Sequence, residues 1–351
     1  MELKTRESLF QQLFPHEPSF RYRQIVCALF NPILTGWESV TTLSKSMRDE
    51  LSAQIPWMSV RAVAVMESRR GDTKKAVLEC IDGARVETVL MRNARGHWSV
   101  CVSSQVGCAM GCTFCATGSM GLMRNLTTDE IIDQFRFWLY ILEEEVSSEA
   151  ESKLISNVVF MGMGEPLANY DSVREAVRIL LASTSLGTTR ITVSTVGLLP
   201  AMRRLLADPL WLPVRLAVSL HSADSSTRKR LMPSSFDSFL DDLAQWTSDY
   251  FAQHDERRRH LTFEYILLRG VNDGVEDAKK LIDFSRRVGK VKINLIPYNQ
   301  TASDHRESEE SRVSDFLVQL KQSGVVATVR KAMGDDIAAA CGQLVVEGNK
   351  Q

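Results

Sequence analysis

Three cysteines crowd one short run of this chain, Gly-Cys108-Ala-Met-Gly-Cys112-Thr-Phe-Cys115, with the spacing Cys-x3-Cys-x2-Cys. Thiolates suit soft metal centres, and iron–sulfur clusters are usually held by four cysteines. A three-cysteine set can cap three irons of a 4Fe–4S cube and leave the fourth iron open to another ligand. An aromatic residue, Phe114, sits between the last two cysteines. The competing reading is zinc, whose structural sites take four cysteine or histidine ligands. His97 and Cys101 lie upstream, but neither forms the paired hook that such a site uses.

Other segments carry polar groups or a reactive atom. Met161-Gly-Met-Gly-Glu-Pro166 combines glycines, which let backbone approach a ligand closely, with Glu165, an acceptor for an ammonium group. Ser194-Thr195, Ser219-Leu-His221 and Ile296-Pro-Tyr-Asn299 each put hydroxyl, imidazole or amide groups at the end of an apolar run. Near the C-terminus, Gly334-Asp-Asp-Ile-Ala-Ala-Ala-Cys341-Gly-Gln-Leu344 surrounds a cysteine with small residues, which leaves its sulfur accessible. Taken singly, each is also explained as a cap, a turn or a small buried residue. Cys101 and Cys341 are spare cysteines at opposite ends of the stretch that carries these motifs and could meet in the fold.

These groups need a frame. Residues 1–60 read as a small helical accessory domain, with apolar stripes at Tyr22, Ile25, Val26, Ala28, Leu29 and at Leu43, Met47, Leu51. Residues 61–97 read as a short β extension, turned at Gly71-Asp72 and Asp82-Gly83. Residues 98–300 alternate strand and helix, with strands expected at Val100–Ser103, Ile155–Met161, Arg190–Ser194, Val214–Leu220, Leu261–Leu267 and Val291–Ile296. Thr127 and Glu130 form a capping box before the first helix. The fold class is therefore α/β, a partial (β/α)6 barrel, with residues 301–351 as a C-terminal segment carrying Cys341. Barrels of this kind place active sites at the C-terminal ends of their strands, where the cysteine loop and the polar runs fall.

The chain has 351 residues, 44% hydrophobic and 24% charged, an ordinary globular composition without an apolar stretch of membrane-spanning length. The first residues lack the apolar core of a signal peptide, and the cysteines do not read as a disulfide scaffold, so the expected location is the cytoplasm. Cys27 and Cys80 lie in apolar contexts and are expected in the core. A net charge of −1 gives no global signal for nucleic acid. The local clusters Arg203-Arg204, Arg228-Lys229-Arg230, Arg257-Arg258-Arg259 and Arg330-Lys331 read as solvated surface.

The motifs together resemble the RlmN/Cfr family of radical S-adenosylmethionine (SAM) RNA adenine methyltransferases. The matching segments are Cys101-Val-Ser-Ser-Gln-Val-Gly-Cys108 and the cysteine loop through Gly118, then Arg124-Asn-Leu-Thr127, Met161 to Pro166, Ser219-Leu-His221, Val271-Asn-Asp-Gly274, Asn294-Leu-Ile-Pro297, and Gly334 to Leu344. The resemblance implies a 4Fe–4S cluster on Cys108, Cys112 and Cys115, and SAM contacts at Gly164, Glu165, Ser194, Ser219, Leu220, His221 and Asn299. It also implies two SAM per turnover. One methylates Cys341; the other is cleaved to a 5′-deoxyadenosyl radical that takes hydrogen from the S-methyl group. The methylene radical then adds to C2 or C8 of adenine. Glu87 matches the base that removes the ring proton, and Cys101 the thiol that attacks Cys341 and leaves a disulfide. The implied partners are ribosomal or transfer RNA, an electron donor and a disulfide reductant, for a monomer that does not bind membranes. A radical-SAM enzyme with a non-RNA substrate, or a non-catalytic metal- or RNA-binding protein, are the alternatives.

Overall fold

Buried guanidinium groups organise the N-terminal part as much as apolar side chains do. The computed structural model describes residues 3–145, 153–254, 260–289 and 291–346; the Arg257–Arg259 cluster lies outside them. Helices α1 (Arg6–Leu13), α2 (Ser19–Leu29) and α3 (Lys45–Gln54) come first. Thr5 and Ser44 cap α1 and α3 by accepting the backbone N–H groups of Ser8 and Met47, which satisfies donors a helix start leaves orphaned. Ile25, Ala28 and Leu29 of α2 face inward. Cys27 does not lie in the core as expected but is exposed. At helical spacing it falls on the side of α2 opposite that stripe, in a groove with Phe20 and Arg23. Cys80 is buried.

Three antiparallel strands follow, β1 (Val60–Glu67), β2 (Thr73–Cys80) and β3 (Arg85–Arg92). Next, β4 (Trp98–Cys101) pairs antiparallel with β3. The chain then makes a separate hairpin, β5 (Gln105–Cys108) with β6 (Gly121–Asn125), and enters α4 (Thr128–Glu145). The capping box is formed: Thr127 N–H donates to Glu130 at 2.8 Å, and Glu130 N–H donates to the Thr127 hydroxyl at 3.2 Å. Arg124 forks between Glu130 and Asp82 beside Cys80, so a cation already occupies that acidic corner.

The remaining elements alternate: β7 (Ile155–Phe160), α5 (Tyr170–Ser183), β8 (Ile191–Thr195), α6 (Leu199–Ala207), β9 (Arg215–Ser219), α7 (Ser225–Leu231), α8 (Phe239–Gln253), β10 (Leu261–Leu267), α9 (Val275–Val288), β11 (Lys292–Pro297), α10 (Glu310–Gln322) and β12 (Val326–Val329). The ten-stranded sheet runs β1-β2-β3-β4-β7-β8-β9-β10-β11-β12. Every pair from β4 onward is parallel. The sheet ends at β1 and β12, so the barrel is partial, as expected. Six parallel strands were expected, and β12 adds one more. It is short and mostly exposed, which hid it from a hydrophobic pattern. The β extension and the C-terminal segment share this sheet with the core.

The helical segment is fastened to α4 by charge. Buried Arg6 pairs with Asp129 and Asp133, and donates to the carbonyls of Pro56 and Trp57. Buried Arg136 pairs with Asp133 and donates to Leu29 O and Trp57 O. Buried charges are tolerated when paired and fully hydrogen-bonded. No helix among the described residues is long and apolar enough to cross a membrane.

Candidate active site

The cysteine loop is tightly specified. Gly107 has φ +77°, and a Cβ there would lie 1.9 Å from the carbonyl oxygen of Gly121, so only glycine lets β5 meet β6. Between these strands, Cys115 N–H donates to Cys112 O at 3.1 Å and Gly118 N–H to Cys115 O at 3.0 Å. Thr113 N–H donates to Leu231 O at 2.9 Å, which seats the loop on the end of α7, and Ala116 N–H donates to Gly342 O at 2.8 Å. Phe114 is buried edge-on to His221, ring centroids 4.8 Å apart.

Cys108, Cys112 and Cys115 line one cavity at the C-terminal ends of the parallel strands. Burial raises the pKa of all three thiols, Cys108 up to about 11, and the neighbouring thiols add to the effect. Three converging soft donors that resist ionisation alone suit a metal centre, whose binding displaces their protons. The donor set fits a three-thiolate cluster.

The same cavity is lined by Gly164, Glu165, Ser194, Ser219 and His221. Gly164 has φ +96°, and a Cβ there would strike Gln105. Glu165 accepts Leu167 N–H at 3.0 Å and Val196 N–H at 2.7 Å, while burial pushes its carboxyl up to about 7. His221 holds φ 56° and accepts Ile266 N–H on Nδ1 at 3.1 Å. That bond and burial, which takes its pKa down to about 3, keep the imidazole neutral. Two expected contacts stand off this wall. Leu220 is fully buried in the core, its N–H on Glu264 O. Asn299 donates to Cys341 O at 3.2 Å and lines an adjoining cavity.

Cys341 belongs to both cavities. Its exposed loop is pinned from several sides, with Lys75 on Ala338 O, Thr117 on Leu344 O and Gln343 on Gln300 O. Ala338 adopts φ 50° and Gly342 φ 84°. A non-glycine residue in this region stores strain that the surrounding contacts must hold. Cys101, at the end of β4, lines the second cavity with Cys341. Arg330 lines both cavities, interacts with both thiols, sits 3.5 Å from Glu264 and donates to Met161 Sδ at 3.3 Å. Glu87 is buried away from these walls. Its carboxylate pairs with Lys75 at 2.9 Å and accepts Val345 N–H at 2.8 Å, and burial raises its pKa.

Residues 102–284 match the Radical SAM superfamily. A dual-specificity RNA methyltransferase RlmN of Oleidesulfovibrio alaskensis is 41% identical over 336 residues, 93% of this chain and 90% of its own length. A ribosomal RNA large subunit methyltransferase N of Nitrosopumilus maritimus is 39% identical over 335 residues, 92% of each chain. The chain belongs to the RlmN family of radical SAM RNA methyltransferases. A radical SAM methyltransferase from Sphaerobacter thermophilus has the same fold, with TM-score 0.84 and 35% identity across 97% of both chains. Members of the superfamily use a 4Fe–4S cluster and SAM, in keeping with the cysteine cavity of this RlmN-family chain.

Three residues at this RlmN-family site were not singled out by sequence reasoning. Glu264 lies in the cavity wall, in register with Ser219 and Asn294, and accepts from Asn294 at 2.8 Å. Its signal was a carboxylate inside the apolar strand Leu261–Leu267. Arg330 and Arg228 were read as solvated surface. Arg330 instead lines both cavities, and Arg228 is 1% exposed. Arg228 shares an inward helical face with Thr227 and Leu231, whereas Lys229 and Arg230 point outward. The Arg203-Arg204 cluster is spent on ion pairs with Asp242 and Asp171.

Proposed function

We propose that this RNA methyltransferase methylates an sp2 carbon, C2 or C8, of adenine in ribosomal RNA, with transfer RNA as a second substrate class, through an S-methylcysteine at Cys341. The observation that carries the reading is the position of Cys341 on the wall shared by the cysteine cavity and the cavity of Cys101. A methyl carrier needs such a place: reachable by SAM on one side and by a resolving thiol on the other. Cys108, Cys112 and Cys115 would hold the cluster. When bound, it supplies the electron that opens radical chemistry on SAM.

The residues of the chain have separable duties. Cys341 accepts a methyl from one SAM as its S–C bond forms, the SAM S–C bond breaks and the thiol proton goes to solvent. A second SAM is consumed per turnover. Gly164, Glu165, Ser194, Ser219 and His221 would line the space it takes, with Glu165 as the acceptor for its ammonium; Leu220 acts through backbone placement and Asn299 through the side-chain bond it donates to Cys341 O. Glu87 removes the ring proton. Its carboxylate is held between Lys75 and Val345 N–H, and the burial that raises its pKa favours taking up a proton. Cys101 thiolate then attacks the Cys341 sulfur. An S–S bond forms, the S–C bond to product breaks, and the electron pair leaves with the product carbon, which takes a proton from solvent to become the methyl group; the attack on sulfur is that of thiol–disulfide exchange. An external reductant restores both thiols, and an electron donor serves the cluster. The protein works as a cytoplasmic monomer, its accessory helices (residues 1–60) being the RNA-holding surface.

The test is isotopic. Cys341→Ala should lose all transfer of labelled methyl from SAM to RNA, and Cys101→Ala should accumulate a covalent protein–RNA adduct. Methylated RNA from the Cys341→Ala protein would end the carrier reading. Mass spectrometry of RNA from a deletion strain, scoring 2-methyl- and 8-methyladenosine, assigns the carbon.

A further inference from the structure

Arg228 is a buried cation without a buried anion. It projects from α7, whose C-terminal end carries the cysteine loop through Thr113 N–H on Leu231 O at 2.9 Å. Its Nη2 donates to Val196 O at 2.7 Å and to Ser219 O at 3.1 Å, and the guanidinium lies 3.4 Å from the ring centroid of Phe239. Its Nε has no hydrogen-bond partner. Among the described residues no carboxylate pairs with it. The titratable groups that face it are Cys112 and His221. Val196 and Ser219, whose carbonyls hold the guanidinium, both line the cysteine cavity, so Arg228 lies behind its wall.

A buried charge is costly unless it is paired. Two carbonyls and an aromatic face offset part of that cost and none of the net charge. A cluster on three thiolates supplies what is missing, since it carries net negative charge that grows by one on reduction. Cluster potentials respond to nearby charge and to burial.

We infer that Arg228 is the counter-cation of the iron–sulfur cluster: it raises the cluster's reduction potential, and its own burial is compensated only once the cluster is loaded. Arg228 acts through the cluster and touches neither SAM nor RNA. The inference rests on the reading of Cys108, Cys112 and Cys115 as cluster ligands. Its position also gives the chain a reason to keep charge here. The reduced cluster is the state from which turnover starts, and a cation behind the wall of the cysteine cavity favours that state over the oxidised one.

The test compares the full chain with Arg228→Met and Arg228→Lys, each prepared without cluster and after anaerobic reconstitution with iron and sulfide. EPR-monitored redox titration should give Arg228→Met a more negative cluster midpoint than wild type, with Arg228→Lys between them or at the wild-type value. Thermal denaturation should show cluster-free Arg228→Met melting at or above cluster-free wild type, and gaining less on cluster loading. An unchanged midpoint in Arg228→Met overturns the inference. So does an equal loss of melting temperature with and without cluster, which would make Arg228 a brace for the Val196 and Ser219 carbonyls. Wild-type chain that takes up no iron would instead remove the cluster reading beneath it.

Discussion

Cys101 and Cys341 enter one reaction from opposite environments. Cys341 is exposed on a pinned loop, whereas Cys101 is buried at a strand end. Burial pushes the Cys101 thiol up to about 12, with Cys341 adding to the rise and Met161 N–H and Arg330 opposing it. The thiolate is the attacking species. A thiol held there is ionised to roughly one part in 10⁵ at pH 7, so each pH unit below its pKa should change the thiolate fraction about tenfold. Single-turnover release of the protein–RNA adduct should therefore accelerate about a hundredfold from pH 7 to pH 9. Arg330→Met, which removes the cation beside both thiols, should slow release further at each pH. Adduct decay followed on gels checks this, and a release rate flat across that range would mean that another group has already taken the Cys101 proton.

At the scale of elements, the hairpin of β5 and β6 is the part whose failure should be most specific. Gly107→Ala adds a methyl group where the Gly121 carbonyl oxygen already lies, at a φ that alanine resists. The expected result is a protein with native far-UV circular dichroism that holds much less iron per chain after reconstitution. Normal iron content would show that the hairpin can open without loss of the site. The helix clamp should fail differently. Asp133→Ala strands Arg136 and leaves Arg6 with Asp129 alone, and leaving a buried charge unpaired costs about 3–5 kcal/mol. Urea unfolding should show that loss, and a change below about 1 kcal/mol would mean that water reaches the clamp. These elements also mark what the sequence could and could not tell. The cysteine spacing, the Thr127 capping box and the strands from Ile155 to Ile296 are local patterns, and they were readable. The hairpin was not, because its two short strands are separated by the cysteine loop they support. Arg228, Glu264 and Arg330 were missed because the meaning of a charge depends on which side of its element it occupies. Lys229 and Arg230 beside Arg228 show how little composition says about that.

At the scale of the whole molecule, the question is whether the stretches 1–60, 61–97, 98–300 and 301–351 unfold apart. The sheet argues against it. Strand β3 pairs with β4 across the boundary at 97, and β12 pairs with β11 across the boundary at 300. The Cys341 segment adds Val345 N–H on Glu87 and Lys75 on Ala338 O, so the two ends of the sheet order are tied by the segment that carries the chemistry. The helices of residues 1–60 join through the Arg6 and Arg136 clamp. Separate domains meet across modest interfaces and open in steps. A shared sheet and a buried ionic clamp should instead give one transition. Calorimetry of the cluster-free chain should therefore show a single endotherm whose van't Hoff and calorimetric enthalpies agree, with tryptophan fluorescence and far-UV circular dichroism changing together. Trp37 and Trp57 report the N-terminal helices and Trp98 and Trp138 the sheet and α4, so an early fluorescence change would mark the clamp as a true boundary. Asp133→Ala is then the informative variant: if the clamp is what couples the helices to the sheet, its loss should split the single endotherm into two.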